Sequence, residues 1–207
     1  MSDIILKESE GFTRDLIPPG QYLGICYSII QLGTHPQTYQ GETKDRRKVN
    51  ICFELPDHKI STDKGPMPGA KSTTETLSFD KKANLRKMLE NWRGRPFTPA
   101  ELEGFGLRNV LGKPATIGIQ HSDKGSDFIS SVTGIMKGVE VPKAVNEPYI
   151  YSFTSPGENW DRLPNWAKDE IKKSKEWGSI KDFVPTDEQA PAAAPATAPQ
   201  QEDDVPF

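Results

Sequence analysis

Gln21-Tyr22-Leu23-Gly24-Ile25-Cys26-Tyr27-Ser28-Ile29-Ile30-Gln31-Leu32 is the stretch whose reading decides the fold. Its β-branched and aromatic side chains favour a pleated surface. Alternation puts Leu23, Ile25, Tyr27 and Ile29 on one face and Tyr22, Cys26 and Ile30 on the other. Both faces are partly apolar, so the strand is buried on both sides or changes face at a bulge.

Downstream, Gly33 to Asp45 is rich in Gly, Pro and Thr and reads as a polar loop. A second strand opens in the basic cluster Lys44, Arg46, Arg47, Lys48. It then alternates Val49, Ile51, Phe53 and Leu55 against Asn50, Cys52 and Glu54, and stops at Pro56. Asp57 to Gly69 reads as a second loop and the Thr-rich segment Lys71 to Phe79 as a third strand. Asp80 is a fitting N-cap for a helix over Lys81 to Arg93. Its Leu85, Met88, Leu89 and Trp92 form one apolar stripe, and Gly94 and Pro96 end it. Thr98-Pro99-Ala100-Glu101 is a capping box. Strands over Lys113 to His121 and Asp127 to Met136 flank the hairpin turn Ser122 to Ser126. The expected fold is therefore mainly β: an OB-fold-like five-stranded barrel with a helix between strands 3 and 4. An unrelated five-stranded barrel or sandwich has the same element order.

Upstream, residues 1–19 form an N-terminal lead-in ending at Pro18-Pro19. Met1 to Glu10 is acidic and polar, so no signal peptide is expected. Residues 20–139 make the barrel. Residues 140–184 form an appendage carrying Tyr149, Tyr151, Phe153, Trp160, Trp166 and Trp177, with a short helix over Pro164 to Lys175. That aromatic density calls for packing against the barrel. Residues 185–207 are an Ala- and Pro-rich disordered linker ending in an acidic tip.

Of all residues, 34% are hydrophobic and 27% charged, which suits one modest core, and no run approaches the ~18 apolar residues of a membrane span. Cys26 and Cys52 lie in apolar runs and read as free thiols of a reducing cytoplasm. The net charge of −3 divides unevenly: the tail from Thr186 holds five acids and no base, leaving residues 1–185 with 26 bases and 24 acids, or +2. A slightly basic body with an acidic tail suits a nucleic-acid partner as well as a solubilising tail.

Enzyme signatures are missing. His35, His58 and His121 lack metal-ligand spacing, and no cofactor motif is present. Gly65 to Ser72 approximates a phosphate-binding loop. Its Pro66 and Pro68 have no N–H to offer, however, and a strand follows where a helix should. A nuclease built from scattered acids has no motif in its favour.

Two features carry function. The tip Glu202-Asp203-Asp204-Val205-Pro206-Phe207 steers toward a basic pocket, where the terminal Phe fills an apolar slot and its carboxylate meets Arg or Lys. The barrel offers a cationic groove with stacking aromatics. Tyr39, Lys44, Arg46, Arg47 and Lys48 lie on the first loop and second strand, and Lys71 opens the third. His121 and Lys124 sit on the last hairpin, with Phe128 just beyond. Phe53 shares a face with Val49, Ile51 and Leu55 and belongs to the core. Lys81, Lys82, Arg86 and Lys87 read as a solvated helix face.

Asp203-Asp204-Val205-Pro206-Phe207 resembles the C-terminal tip of bacterial single-stranded-DNA-binding proteins, with Val205 in place of Ile. Tyr39-Gln40-Gly41, Arg46 to Val49, Phe53 to Pro56, Asn84 to Lys87, Trp92 to Arg95 and Leu111 to Pro114 resemble stretches of phage-encoded single-stranded-DNA-binding proteins, over most of residues 18–180. The resemblance implies an OB-fold protein of viral DNA replication and recombination in the cytoplasm of the infected bacterial host. Such a protein binds single strands without sequence preference and uses its tip to recruit host or viral replication and recombination proteins. Double-stranded DNA stays open as a second ligand. The rival reading is an adaptor or inhibitor that mimics the host tip and binds no DNA.

Overall fold

The computed structural model describes residues 16–62, 65–141 and 143–185. The lead-in up to residue 15, the linker from residue 186 and the tip Glu202 to Phe207 lie outside the described residues.

The chain is mainly β. Strands β1 (Gly20–Tyr39), β2 (Glu42–Thr62) and β3 (Gly65–Thr76) run as consecutive hairpins. Helices α1 (Asn84–Arg93) and α2 (Pro99–Glu103) follow, then β4 (Pro114–His121) and β5 (Asp127–Thr133). The order across the sheet is β3-β2-β1-β4-β5, antiparallel throughout. A short β6 (Tyr149–Tyr151) pairs parallel with Ser28 to Ile30 of β1, followed by α3 (Asn165–Lys172) and α4 (Trp177–Ile180).

Two expected loops are instead strands. Residues Gly33 to Tyr39 pair with Glu42 to Lys48, and Lys59 to Thr62 pair with Gly65 to Pro68. Proline removes one donor but does not forbid extended backbone, and it is tolerated on strands with a free edge. Pro66 and Pro68 lie on β3, an edge of the sheet path, and Pro36 lies where β1 has only β2 beside it among the described residues. The phosphate-loop lookalike is thus strand from Gly65 onward. Helix α1 starts later than expected, with Ala83 as its N-cap. Asp80 spends its side chain on the amide of Lys82, 2.9 Å away, and closes a turn in front of the helix. Gly94 ends α1 in the left-handed conformation, and Thr98 and Glu101 complete the capping box.

Strand β1 serves two cores. Cys26 pairs with Phe53 and Ser28 with Cys52, so Tyr27 is a bulge with no opposite number; Leu32 is skipped in the same way. Cys26 and Ile29 therefore join the cluster of Val49, Ile51, Phe53, Leu55, Leu85, Leu89, Trp92 and Ile117. Ile30 and Leu32 join a second cluster with Tyr149, Tyr151, Trp160, Leu163, Ala167 and Ile171. Phe53 meets Trp92 edge-on, ring centroids 5.2 Å apart, and Trp160 stacks on Trp177 at 5.8 Å. The segment entering β6 is held by Glu54, which is fully buried and accepts from the amides of Val145 (2.6 Å) and Asn146 (2.9 Å).

Strands β3 and β5 end the sheet path and share no backbone ladder among the described residues. A side-chain link spans them. Lys71 of β3 donates to Asp127 of β5, to a carboxylate oxygen at 2.6 Å and to the main-chain carbonyl at 2.7 Å. The other carboxylate oxygen accepts from the amide of Ile17, 3.2 Å away, and Ile17 packs in the first cluster. The pair is buried, so losing one partner takes a close counter-charge from a buried group. Lys71→Met should lower the free energy of unfolding by about 3–5 kcal/mol, read from urea denaturation; an unchanged midpoint would show that the link does not hold the edges together.

Candidate nucleic-acid interface

Beyond Gly33 and Lys48 the first hairpin projects as a two-stranded arm. Its turn is Gln40-Gly41, with φ of 50° and 81°. Two positive φ values mark the tight turn whose twist matches that of the strands, and Gly supplies the second without strain. Thr38 and Thr43 share a hydroxyl hydrogen bond of 2.8 Å just below the tip.

The root of the arm is fixed to the appendage. Gly33 has φ of 91°, and a Cβ there would lie 2.4 Å from the Cβ of Ser174, so only glycine fits. Glu176 accepts from the amide of Thr34 at 2.8 Å, and Lys175 pairs with Asp45. His35 is buried, its Nε2 donating to the Leu32 carbonyl at 3.0 Å. A rigid root costs less entropy on binding than a loop that must order itself.

The arm carries the first group of expected contact residues. Tyr39 is 73% exposed at the tip. Tyr39, Lys44 and Arg46 line one side of a groove of about 660 Å³ whose other side is the segment from Glu75 to Asn84. Lys82, read from sequence as part of a solvated helix face, also lines it, as do Glu42, Glu75 and Asp80. The walls are thus mixed in sign. Lys44 pairs with Glu42 at 2.8 Å, but both are exposed and such pairs are worth little. Arg46 and Arg47 are exposed and form no ion pair among the described residues. Alternation turns Arg47 to the opposite face of β2 from Lys44, Arg46 and Lys48. Lys48 is half-buried, 3.7 Å from Glu170 of α3.

The remaining expected residues divide. Lys71 is 9% exposed and committed to Asp127, so its ammonium is withheld from this surface. His121 donates from Nε2 to the Ile17 carbonyl at 2.9 Å and fastens the end of the lead-in. Lys124 lies exposed in the β4–β5 turn, and Phe128 is 40% exposed at the start of β5. The Lys71–Asp127 link brings that hairpin beside β3.

Trp166 is not among the contact residues expected from sequence, which counts it with the aromatics that pack the appendage on the barrel. Ala167 and Ile171 form the buried stripe of α3, and Trp166 lies off it, 48% exposed. An aromatic next to, but outside, an apolar stripe is the signal that singles it out. It stands over β1 and β2 near Asn50 and Cys52.

Among the described residues no group of three or more His, Cys, Asp or Glu is placed to hold a metal ion, and no helix is long and apolar enough to cross a membrane. No family model, curated protein or solved structure matches the chain.

Both cysteines are free. Burial pushes the Cys26 thiol far above its ordinary value and the Cys52 thiol up to about 11. Thiolate is the reactive form, so at pH 8 the folded protein should resist alkylation at both positions and take up two labels per chain in urea. Fast labelling of Cys52 in the native state would show that its half-buried thiol is reached and ionised without unfolding.

Proposed function

We propose that this chain is a non-enzymatic single-stranded-DNA-binding protein of a phage replication system, working in the cytoplasm of the infected bacterial host. Its body is read as an OB-fold. The sheet order β3-β2-β1-β4-β5, with the edges β3 and β5 tied through Lys71 and Asp127, suits a partly open Greek-key barrel with α1 between the third and fourth strands. In such a barrel the β2–β3 face takes the strand, flanked by the β1–β2 and β4–β5 turns.

The observation that carries the reading is the arm. It sets an exposed tyrosine, Lys44 and Arg46 along one groove, on a root that is already rigid. Stacking on a π-face and neutralisation of phosphates are the two components of binding without sequence preference. Phe128 and Lys124 offer the same pair of chemistries on the β4–β5 hairpin. The tip Glu202 to Phe207 is the protein-facing half, recruiting replication or recombination proteins through charge and an aromatic anchor.

The carboxylates Glu42, Glu75 and Asp80 in the groove favour a second reading, an adaptor or inhibitor that engages host proteins and binds no DNA. Titration with poly-dT at low salt separates the two. The first reading expects tight binding that weakens steeply with salt, and a loss of ten-fold or more in Arg46→Glu/Arg47→Glu, each lost phosphate contact also flattening the salt dependence. Absence of binding leaves the adaptor. Deleting Glu202 to Phe207 should preserve or raise DNA affinity while abolishing capture of partner proteins from host lysate; a matching loss of DNA affinity would place the tip within the DNA site.

A further inference from the structure

Trp166 roofs a second cavity, of about 250 Å³, on the face of β1 and β2 that lies away from the main core. That volume holds far more than a water and is smaller than a drug-sized pocket, so it suits one ring system. Its lining includes Tyr27, Ser28, Asn50, Cys52 and Tyr149. Asn50 is 2% exposed. Its Nδ2 donates to Thr74 Oγ1 at 2.9 Å, which ties the side chain across to β3.

The cavity continues the cationic track. Lys44 to Glu54 of β2 pair with β1 without a skipped residue on the β2 side, so Lys44, Arg46, Lys48 and Asn50 succeed one another on one face. Each rung advances about 7 Å, and Lys44 to Asn50 spans about 20 Å. Lys48 approaches Glu170 of α3, and Trp166 lies one turn earlier on that helix, so roof and track are neighbours. A sugar–phosphate chain following the basic rungs arrives at the cavity with a base free to turn in.

Resting on the DNA-binding reading above, we propose that the cavity beneath Trp166 receives one nucleobase of the bound strand, stacked on the indole. Stacking gives tolerance of every base, since each has a π-face.

The test compares two labelled ligands of about twelve nucleotides by fluorescence anisotropy at low salt: oligo-dC, and an abasic spacer chain that offers phosphates and sugars alone. Wild type should bind oligo-dC more tightly than the spacer. Trp166→Ala should weaken oligo-dC binding by roughly five- to one-hundred-fold, the worth of one stacked base, and leave spacer binding unchanged. Trp166→Phe should retain most of the affinity. Equal binding of both ligands by wild type would overturn the base pocket while leaving phosphate-driven binding in place. Equal losses on both ligands in Trp166→Ala, or no loss on either, would also overturn it. Wild type binding neither ligand would remove the pocket together with the DNA-binding reading.

Discussion

Tyr27 has no partner across the β1–β2 ladder, and that one skipped residue sets the rest of the molecule. Side chains on a strand alternate, so an uninterrupted β1 would send Cys26 and Ile30 to one face and Ile29 to the other. With the bulge, Cys26 and Ile29 share the main core and Ile30 and Leu32 point to the second. The strand can then bury apolar surface on both sides, each fully buried Ile or Leu contributing about 1.5–3 kcal/mol. The bulge also marks where β1 changes neighbour. Gly20 to Ile25 pair with β4, and Ser28 to Ile30 pair with β6.

The candidate interface follows from this division. Because the second core lies against the far half of β1, α3 and α4 come to rest at the root of the arm. There Glu176, Lys175 and Ser174 hold Thr34, Asp45 and Gly33. The polar tip is thereby presented on a stiff base, and Trp166 is carried over β2. Lys71 has the opposite fate. The curl of the sheet brings Asp127 against it, and a cation that would serve a surface becomes a brace.

Much of this was legible in the residues themselves. Val49 to Leu55 names its buried face by period, the double apolar character of Gln21 to Leu32 announces the face change, and Thr98 to Glu101 spells out its cap. The arm was not, because Gly, Pro and Thr read as breakers only when the surroundings are ignored. Among the described residues Pro36 has one strand alone beside it, so its missing donor disturbs little. Strand β6 has three residues, too few to show a period. The partner of Lys71 lies 56 residues away, and no local pattern connects them. In the candidate site, Tyr39, Lys44 and Arg46 were readable as a polar aromatic beside a basic run, whereas Asn50 looked like any outward residue of an alternating strand. Trp166, which lines the same cavity, comes more than a hundred residues later.

Strand β1 is made early in the chain, but Tyr149 to Tyr151, which complete one side of it, come about 120 residues later. At a synthesis rate of about 5–20 residues per second, the nascent chain would carry that unfinished strand edge for roughly 6–24 s. The stretch concerned, Ser28 to Ile30, adjoins some of the most apolar sequence in the protein, and an open apolar edge is a template for pairing with other chains. The parallel β6 pairing thus also ties the molecule to a late, non-local step of the slow kind. The hazard of making this protein lies in the interval before its appendage arrives.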